Sequence, residues 1–345
     1  MKASIVAIEY SLPENLLTNE ELAATFCDWT PEKITEKTGI TERHIVKEDE
    51  CASDLAVQAC EKLLKTHVCR RDDIDFLLLC TQSPDYFLPS TACVIQDRLG
   101  LPTTCGALDF NLGCSGFVYG LGLAKGLIET AQAKNILLVT AETYSKYIHE
   151  NDRSVRTIFG DGAAATLIQA IQVGDETSDE PIGPFIYGTD GRGAKNLIVP
   201  VGGMRQRTCS ADETHLDEFG NERAPSNLYM NGGEIFSFTL RAVPDAVARL
   251  LEISRLHLQD IDLIVFHQAN RYMLDHLRKK LKIPEEKFVV DMEHVGNTVS
   301  SSIPIALSNA AASGRLKDGQ RVMVVGFGVG YSWAATVLRW RMGCS

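Results

Sequence analysis

An α/β fold made of two duplicated halves is the architecture this sequence predicts. Strand-like and helix-like stretches alternate from end to end, the pattern of sheets covered by helices. The sequence also matches itself. IDFLLLCTQ (74–82) resembles IDLIVFHQ (261–268), and NILLVTAETYS (135–145) resembles RVMVVGFGVGYS (321–332). The first pair is offset by 187 residues, counted from 74 to 261, and the second by 186, from 135 to 321. Near-equal offsets at two places point to a duplicated unit. The 345 residues are too many for one small core and suit two fused units. The halves are expected at 1–174 and 175–345, joined through the acidic stretch DETSDEPIG (175–183).

Each element has a local reason. MKASIVAIEYSLPEN reads as a first strand and lacks a signal-peptide cleavage pattern. ASDLAVQACEKLLKT (52–66) carries a helix start at Ser53/Asp54 and an apolar stripe. IDFLLLCTQ is a buried strand. STACVIQDRLG (90–100) is a helix ended by Gly100, which suits the left-handed position after a helix. FVYGLGLAKGLIET spaces Val118, Leu121, Leu123, Leu127 and Ile128 as a mostly apolar helix. NILLVTAE and AAATLIQA are further strands. Residues 203–228 lack any sustained period and form a long loop, of the kind that tends to be functional in a compact enzyme. EIFSFTLRAVPDAVARLLEIS (234–254) is helical, with an interruption expected at Pro244. Ile261 to Phe266 is a short strand, and RYMLDHLRKKLKI (271–283) a helix directly after it.

Three residues carry the chemistry. NLGCSGF (111–117) places Cys114 between a strand and a helix start, where the helix dipole favours thiolate, the nucleophilic form. Gly113 and Gly116 let backbone and substrate come close. His267 stands at the C-terminal end of its strand, where open α/β sheets meet ligands. Asn297 lies in HVGNTVSSSIP (294–304), a Gly/Asn/Ser-rich loop leading into a helix. A cysteine with a downstream His and Asn is a nucleophilic constellation. The duplication brings them together: the repeat offset added to Cys114 lands in Ser300–Ser302, beside Asn297. The Cys114 N–H and the turn GFGVGYS, with Gly326, Gly328 and Gly330, can supply main-chain donors to an oxyanion.

Composition excludes several classes. No apolar run reaches membrane-span length. Net charge −11 argues against general nucleic-acid binding. The ten cysteines show no CxxC pair and no metal-ligand spacing, Cys51, Cys60 and Cys69 included. No metal is expected, and the thiols read as reduced in a cytoplasmic protein. Against the acidic background, Arg271, Arg278, Lys279 and Lys280 form a basic helix face that suits an acidic partner.

Seven motifs, in order along nearly the whole chain, give a resemblance: KTGITERH (37–44), YFLPSTA (86–92), NLGCSGF, FGDGAAA (159–165), FHQAN, HVGNTVSSSIP and GFGVGYSWA (326–334). The chain resembles the β-ketoacyl-acyl-carrier-protein synthase III family of the thiolase superfamily. The resemblance implies a thiolase-like five-layer αβαβα fold and a triad of Cys114, His267 and Asn297. It adds the Val329 N–H as second oxyanion donor. The implied reaction loads an acyl-CoA primer on Cys114 and condenses it with malonyl-acyl carrier protein, releasing carbon dioxide. Coenzyme A thioester is substrate, and no cofactor is permanently bound. Lys37, Arg153 and Gly233 fall at coenzyme A and pantetheine positions. The family's adenine-holding Trp and Arg become Lys33 and Lys37, with Trp29 nearby but out of register. A homodimer is implied, with Leu88 at the floor of the partner's acyl pocket, where a smaller residue admits primers longer than acetyl. Two other readings remain: transfer of the Cys114-bound acyl group to a hydroxyl or amine, and a non-catalytic acyl-thioester scaffold.

Overall fold

The computed structural model describes residues 1–26, 28–172, 180–209, 214–217 and 220–341. One sheet has five strands in the order Lys2–Ser11, Gly162–Ile171, Asn135–Glu142, Phe76–Cys80, Gly106–Phe110. The other has four, in the order Ile182–Thr189, Ser332–Arg339, Arg321–Gly328, Leu263–Phe266. Both place an antiparallel pair beside a parallel one. Phe76 faces Ile136 in the first parallel pair and Leu263 faces Val322 in the second. These are the positions that the internal repeat equates. Where the first sheet has its fifth strand, the second keeps a single parallel bridge from Ile264 to Phe288.

Alternation along the strands builds the layers. Leu78, Ile136 and Leu138 of one sheet and Leu263, Val265, Val322 and Val324 of the other share a core with helices Gly116–Glu129 and Ser302–Ala312. Their neighbours face outward. Leu77, Leu79, Leu137 and Val139 pack against helix Ala52–Lys65. Ile264, Phe266, Met323 and Val325 pack against Gly232–Ser254 and Arg271–Leu281. The order is helix, sheet, helix pair, sheet, helix: five layers. The central helices begin at Gly116 and Ser302, again 186 residues apart.

Most expected elements are present, including the helix Thr91–Arg98 followed by Gly100 at φ +62°. One differs. Helix Gly232–Ser254 runs through Pro244 without a break. An interior proline costs about 3 kcal/mol. Phe238, Val243, Val247 and Leu250 bury their side chains on the same helix, at roughly 1.5–3 kcal/mol for each large one, and that sum wins. The carbonyl that Pro244 leaves without its N–H partner is that of Leu240, and the Lys280 ammonium donates to it at 2.8 Å. The 203–228 region contains, among its described residues, the short antiparallel pair His215–Leu216 and Glu222–Arg223. The half boundary at 174/175 lies outside the described residues.

Candidate active site

Cys114 sits two residues before the helix Gly116–Glu129, with Ser115 as its N-cap. The strand that ends at Gly328 passes directly beneath it. A Cβ on Gly328 would lie 2.7 Å from the Cys114 sulfur, and one on Gly326 would lie 2.7 Å from the Cys114 carbonyl oxygen. Only hydrogen side chains allow that approach. The Ser115 and Ser332 hydroxyls, 2.6 Å apart, tie the two loops together. Burial pushes the Cys114 thiol up to about 12, while the N–H groups of Val329 and of Cys114 itself pull the other way. Burial thus works against the thiolate expected from the helix start, and it is the largest influence on the thiol. The same two N–H groups approach the Cys114 sulfur.

His267 follows the strand Leu263–Phe266, and its N–H donates to the Val325 carbonyl at 2.8 Å. Its ring is buried, which pushes it down to about 3 and leaves it neutral. Nδ1 lies 2.7 Å from the Ser302 hydroxyl. Asn297 is delivered by a turn with Gly296 at φ +73°, and its N–H donates to the Ile158 carbonyl at 2.9 Å. The Val299 N–H donates to Asn297 Oδ1 at 2.9 Å, which fixes the amide orientation. Nδ2 then donates to the Ala269 carbonyl at 3.3 Å, with its second hydrogen left for the cavity. Val299 holds this node at φ +54°, a costly backbone for a β-branched residue. Cys114, His267 and Asn297 line one cavity of about 270 Å³ with Phe159, Leu197, Met273 and Phe327 among its apolar walls. The structure thus brings together all three residues singled out in the sequence.

An outer vestibule of about 1030 Å³ shares Ser154, Ile158, Met230, Gly232 and Asn270 with this cavity. Lys37, Arg153 and Gly233, given coenzyme A roles by the resemblance, line it. So does Trp29, whose ring gathers Lys33 at 5.3 Å, Lys37 at 5.6 Å and Arg153 at 5.9 Å. Sequence register alone set Trp29 aside; the three cations around one ring are visible only in the fold. Asp217, Asn221 and Arg223 bring the 203–228 loop to the vestibule wall.

Other expected residues lie elsewhere. Leu88 is 80% exposed, in a surface run with Tyr86 and Phe87, and does not reach the cavity of its own chain. In the basic helix, Arg271 packs on the Gly39 turn, where a Cβ would meet it at 2.4 Å. Arg278 approaches Glu285 at 3.5 Å. Lys280 is a strut to Leu240 rather than a free charge, while Lys279 is exposed. Residues missed in the sequence are Ser302, Val299 and Glu142. The Glu142 carboxylate accepts from the Gln82 N–H and the Ser83 and Ser300 hydroxyls, and burial pushes it up to about 8. The serine run was the available signal. Its three hydroxyls diverge, Ser300 to Glu142, Ser301 to Thr140 and Ser302 to His267, as successive residues on a tight turn must.

Comparisons with known proteins follow the same line. Residues 108–191 match the family model for 3-oxoacyl-[acyl-carrier-protein] synthase III, and residues 251–340 match the model for its C-terminal part. The chain is 36% identical to a β-ketoacyl-[acyl-carrier-protein] synthase III of Caldanaerobacter subterraneus subsp. tengcongensis over 338 residues, 98% of each chain. It is 37% identical to the protein of that name from Clostridium perfringens over 337 residues, 98% of this chain and 99% of the other. A crystal structure of a 3-oxoacyl-(acyl-carrier-protein) synthase III superposes with a TM-score of 0.96 at 53% identity, covering 99% of this chain and 100% of that one.

Proposed function

The chain belongs to the 3-oxoacyl-[acyl-carrier-protein] synthase III family, and from that premise we propose that it condenses an acyl-CoA primer with malonyl-acyl carrier protein. One observation carries the reading: Cys114, His267 and Asn297 meet in an apolar cavity that opens into a basic, aromatic vestibule. The Cys114 sulfur attacks the thioester carbon of the primer, and the oxyanion is met by the N–H groups of Cys114 and Val329. The carbon–sulfur bond to coenzyme A breaks, and the thiol proton leaves with the departing sulfur. Malonyl thioester then enters. Its carboxylate loses hydration among apolar walls, which favours neutral carbon dioxide. As that carbon–carbon bond breaks, the electron pair moves onto the thioester oxygen as an enolate. His267 and Asn297 stabilise that oxygen as neutral donors. The enolate carbon attacks the acyl group, the bond to Cys114 breaks, and the thiolate takes one proton from solvent.

Lys37, Arg153 and Trp29 are the proposed contacts for the nucleotide end of coenzyme A, with Gly233 open to the pantetheine arm. Arg271, Arg278 and Lys279 are the proposed docking charges for the carrier protein. The proposed assembly is a homodimer in the cytoplasm. Its support is the exposed run Tyr86, Phe87 and Leu88 and the sheet edge Gly106–Phe110 with Leu108 exposed. Among the described residues no helix is long and apolar enough to cross a membrane.

The test separates the half-reactions. Cys114→Ala abolishes acyl uptake, read by intact-protein mass spectrometry. His267→Ala and Asn297→Ala lose condensation by about 10²-fold or more, the cost of one oxyanion donor, while single-turnover acylation persists. Labelling of Cys114→Ala at another cysteine, or equal loss of both half-reactions in the His and Asn variants, overturns the assignment. Acyl transfer from Cys114 without malonyl-dependent carbon dioxide release replaces condensation with transfer to a hydroxyl or amine.

A further inference from the structure

We propose that Ser302 is a positioning residue that sets the tautomer of His267, holding the ring proton on Nε2 so that the neutral imidazole donates into the Cys114 cavity. This rests on the condensing reaction above, because that reaction needs a donor there. The argument starts from what each partner of the Ser302 hydroxyl can do. The Gln268 N–H can only donate, and it points at Ser302 Oγ at 3.3 Å. The Val299 carbonyl can only accept, and it lies at 3.0 Å. The imidazole Nδ1, at 2.7 Å, can do either. Ser302 has one proton to give, so its two acceptors compete.

The Val299 carbonyl does not need that proton. It closes the short turn Val299–Ser301 and already accepts from the Ser302 main-chain N–H. Giving the hydroxyl proton to Nδ1 therefore leaves no buried acceptor unpaired. The Nδ1 contact is also the shorter of the two. The hydrogen bonds then run in one direction, from Gln268 N–H to Ser302 Oγ, from Ser302 O–H to His267 Nδ1, with Nε2–H at the end facing the cavity. The partner on one ring nitrogen decides which nitrogen carries the proton. His267 and Ser302 are 2% and 3% exposed, so bulk water does not compete at this contact. Because burial keeps the ring neutral, against a smaller upward pull from the Val299 carbonyl beside it, it has a single proton, and its placement decides between donor and acceptor. With Nε2–H in place, the ring and the free Asn297 amide hydrogen offer two donors to one enolate oxygen. No bond is made or broken at Ser302 itself.

The test uses the full-length enzyme. Nitrogen-15 NMR of histidine-labelled protein shows His267 protonated at Nε2 in the resting wild type and a changed tautomer population in Ser302→Ala. Ser302→Ala slows malonyl decarboxylation by about 10- to 100-fold, a loss of the size that follows when the partner orienting a metal-bound histidine is removed, and leaves single-turnover acylation of Cys114 near wild type. Ser302→Thr, which keeps the hydroxyl, restores decarboxylation. Retained acylation shows that Ser302→Ala is folded. A wild-type ring protonated at Nδ1 overturns the proposal, as does an unchanged decarboxylation rate in Ser302→Ala or equal loss of both half-reactions. Absence of carbon dioxide release by the wild type overturns the condensing reading instead, and the NMR result still decides the tautomer.

Discussion

At the scale of single residues, the site is decided by a contest between burial and dipoles. Two N–H groups pull the Cys114 thiol toward thiolate, and burial pulls harder. The resting nucleophile is a thiol, with its ordinary value raised to about 12. The sign of the pH effect follows. Below that value the thiolate fraction rises about tenfold per pH unit. Alkylation of Cys114 by iodoacetamide, followed by mass spectrometry, therefore climbs about tenfold per unit from pH 7 to 9 without levelling off. A plateau below pH 8 means a stabilised thiolate and contradicts this account. His267, pushed down to about 3, stays uncharged through the same range.

At the scale of elements, helix Gly232–Ser254 shows how a neighbour rescues a local fault. Pro244 removes the donor for the Leu240 carbonyl, and Lys280 on helix Arg271–Leu281 replaces it. Lys280→Met should destabilise the protein by about 1 kcal/mol, below the usual range for a hydrogen bond to a charged group because the side chain is exposed. In a Pro244→Ala background, residue 244 supplies its own N–H and the loss should fall to less than half. Urea unfolding of the four proteins of this cycle measures the coupling. Equal losses in both backgrounds remove the strut explanation. The same element shows what can be read from sequence. Periodicity finds the helix, but the interruption expected at Pro244 does not occur, because the donor that compensates comes from 36 residues further along the chain. Cys114, His267 and Asn297 were legible because duplication converts sequence offset into spatial proximity. Trp29 and Ser302 were not, because their partners arrive from other elements. The burial that raises the Cys114 thiol was invisible for the same reason: the sheet under it comes from residues 321–328.

At the scale of the whole molecule, the two sheets share one core through helices Gly116–Glu129 and Ser302–Ala312. Neither sheet keeps its inner face covered if the other is removed, so the halves should unfold together. The outer surface is less complete. Strand Gly106–Phe110 ends its sheet with an open edge, and Leu108 beside it is 47% exposed. Open edges invite pairing with another chain. Tyr86, Phe87 and Leu88 add an apolar run of the kind that marks an interface. A second copy of this chain is the occupant proposed above. If Leu88 floors the partner's acyl pocket there, its size sets primer length. Each further buried methylene contributes about 0.8 kcal/mol, so wild type should accept primers longer than acetyl, and Leu88→Phe should shift preference toward acetyl by roughly that amount per methylene excluded. Phe87→Asp places an unpaired charge in the interface and should give a monomer that loads Cys114 poorly. Light scattering and competition between acyl-CoA primers read both effects. An active wild-type monomer removes the dimer and the Leu88 role with it, whereas a dimer with unchanged primer choice in Leu88→Phe assigns the floor to another residue.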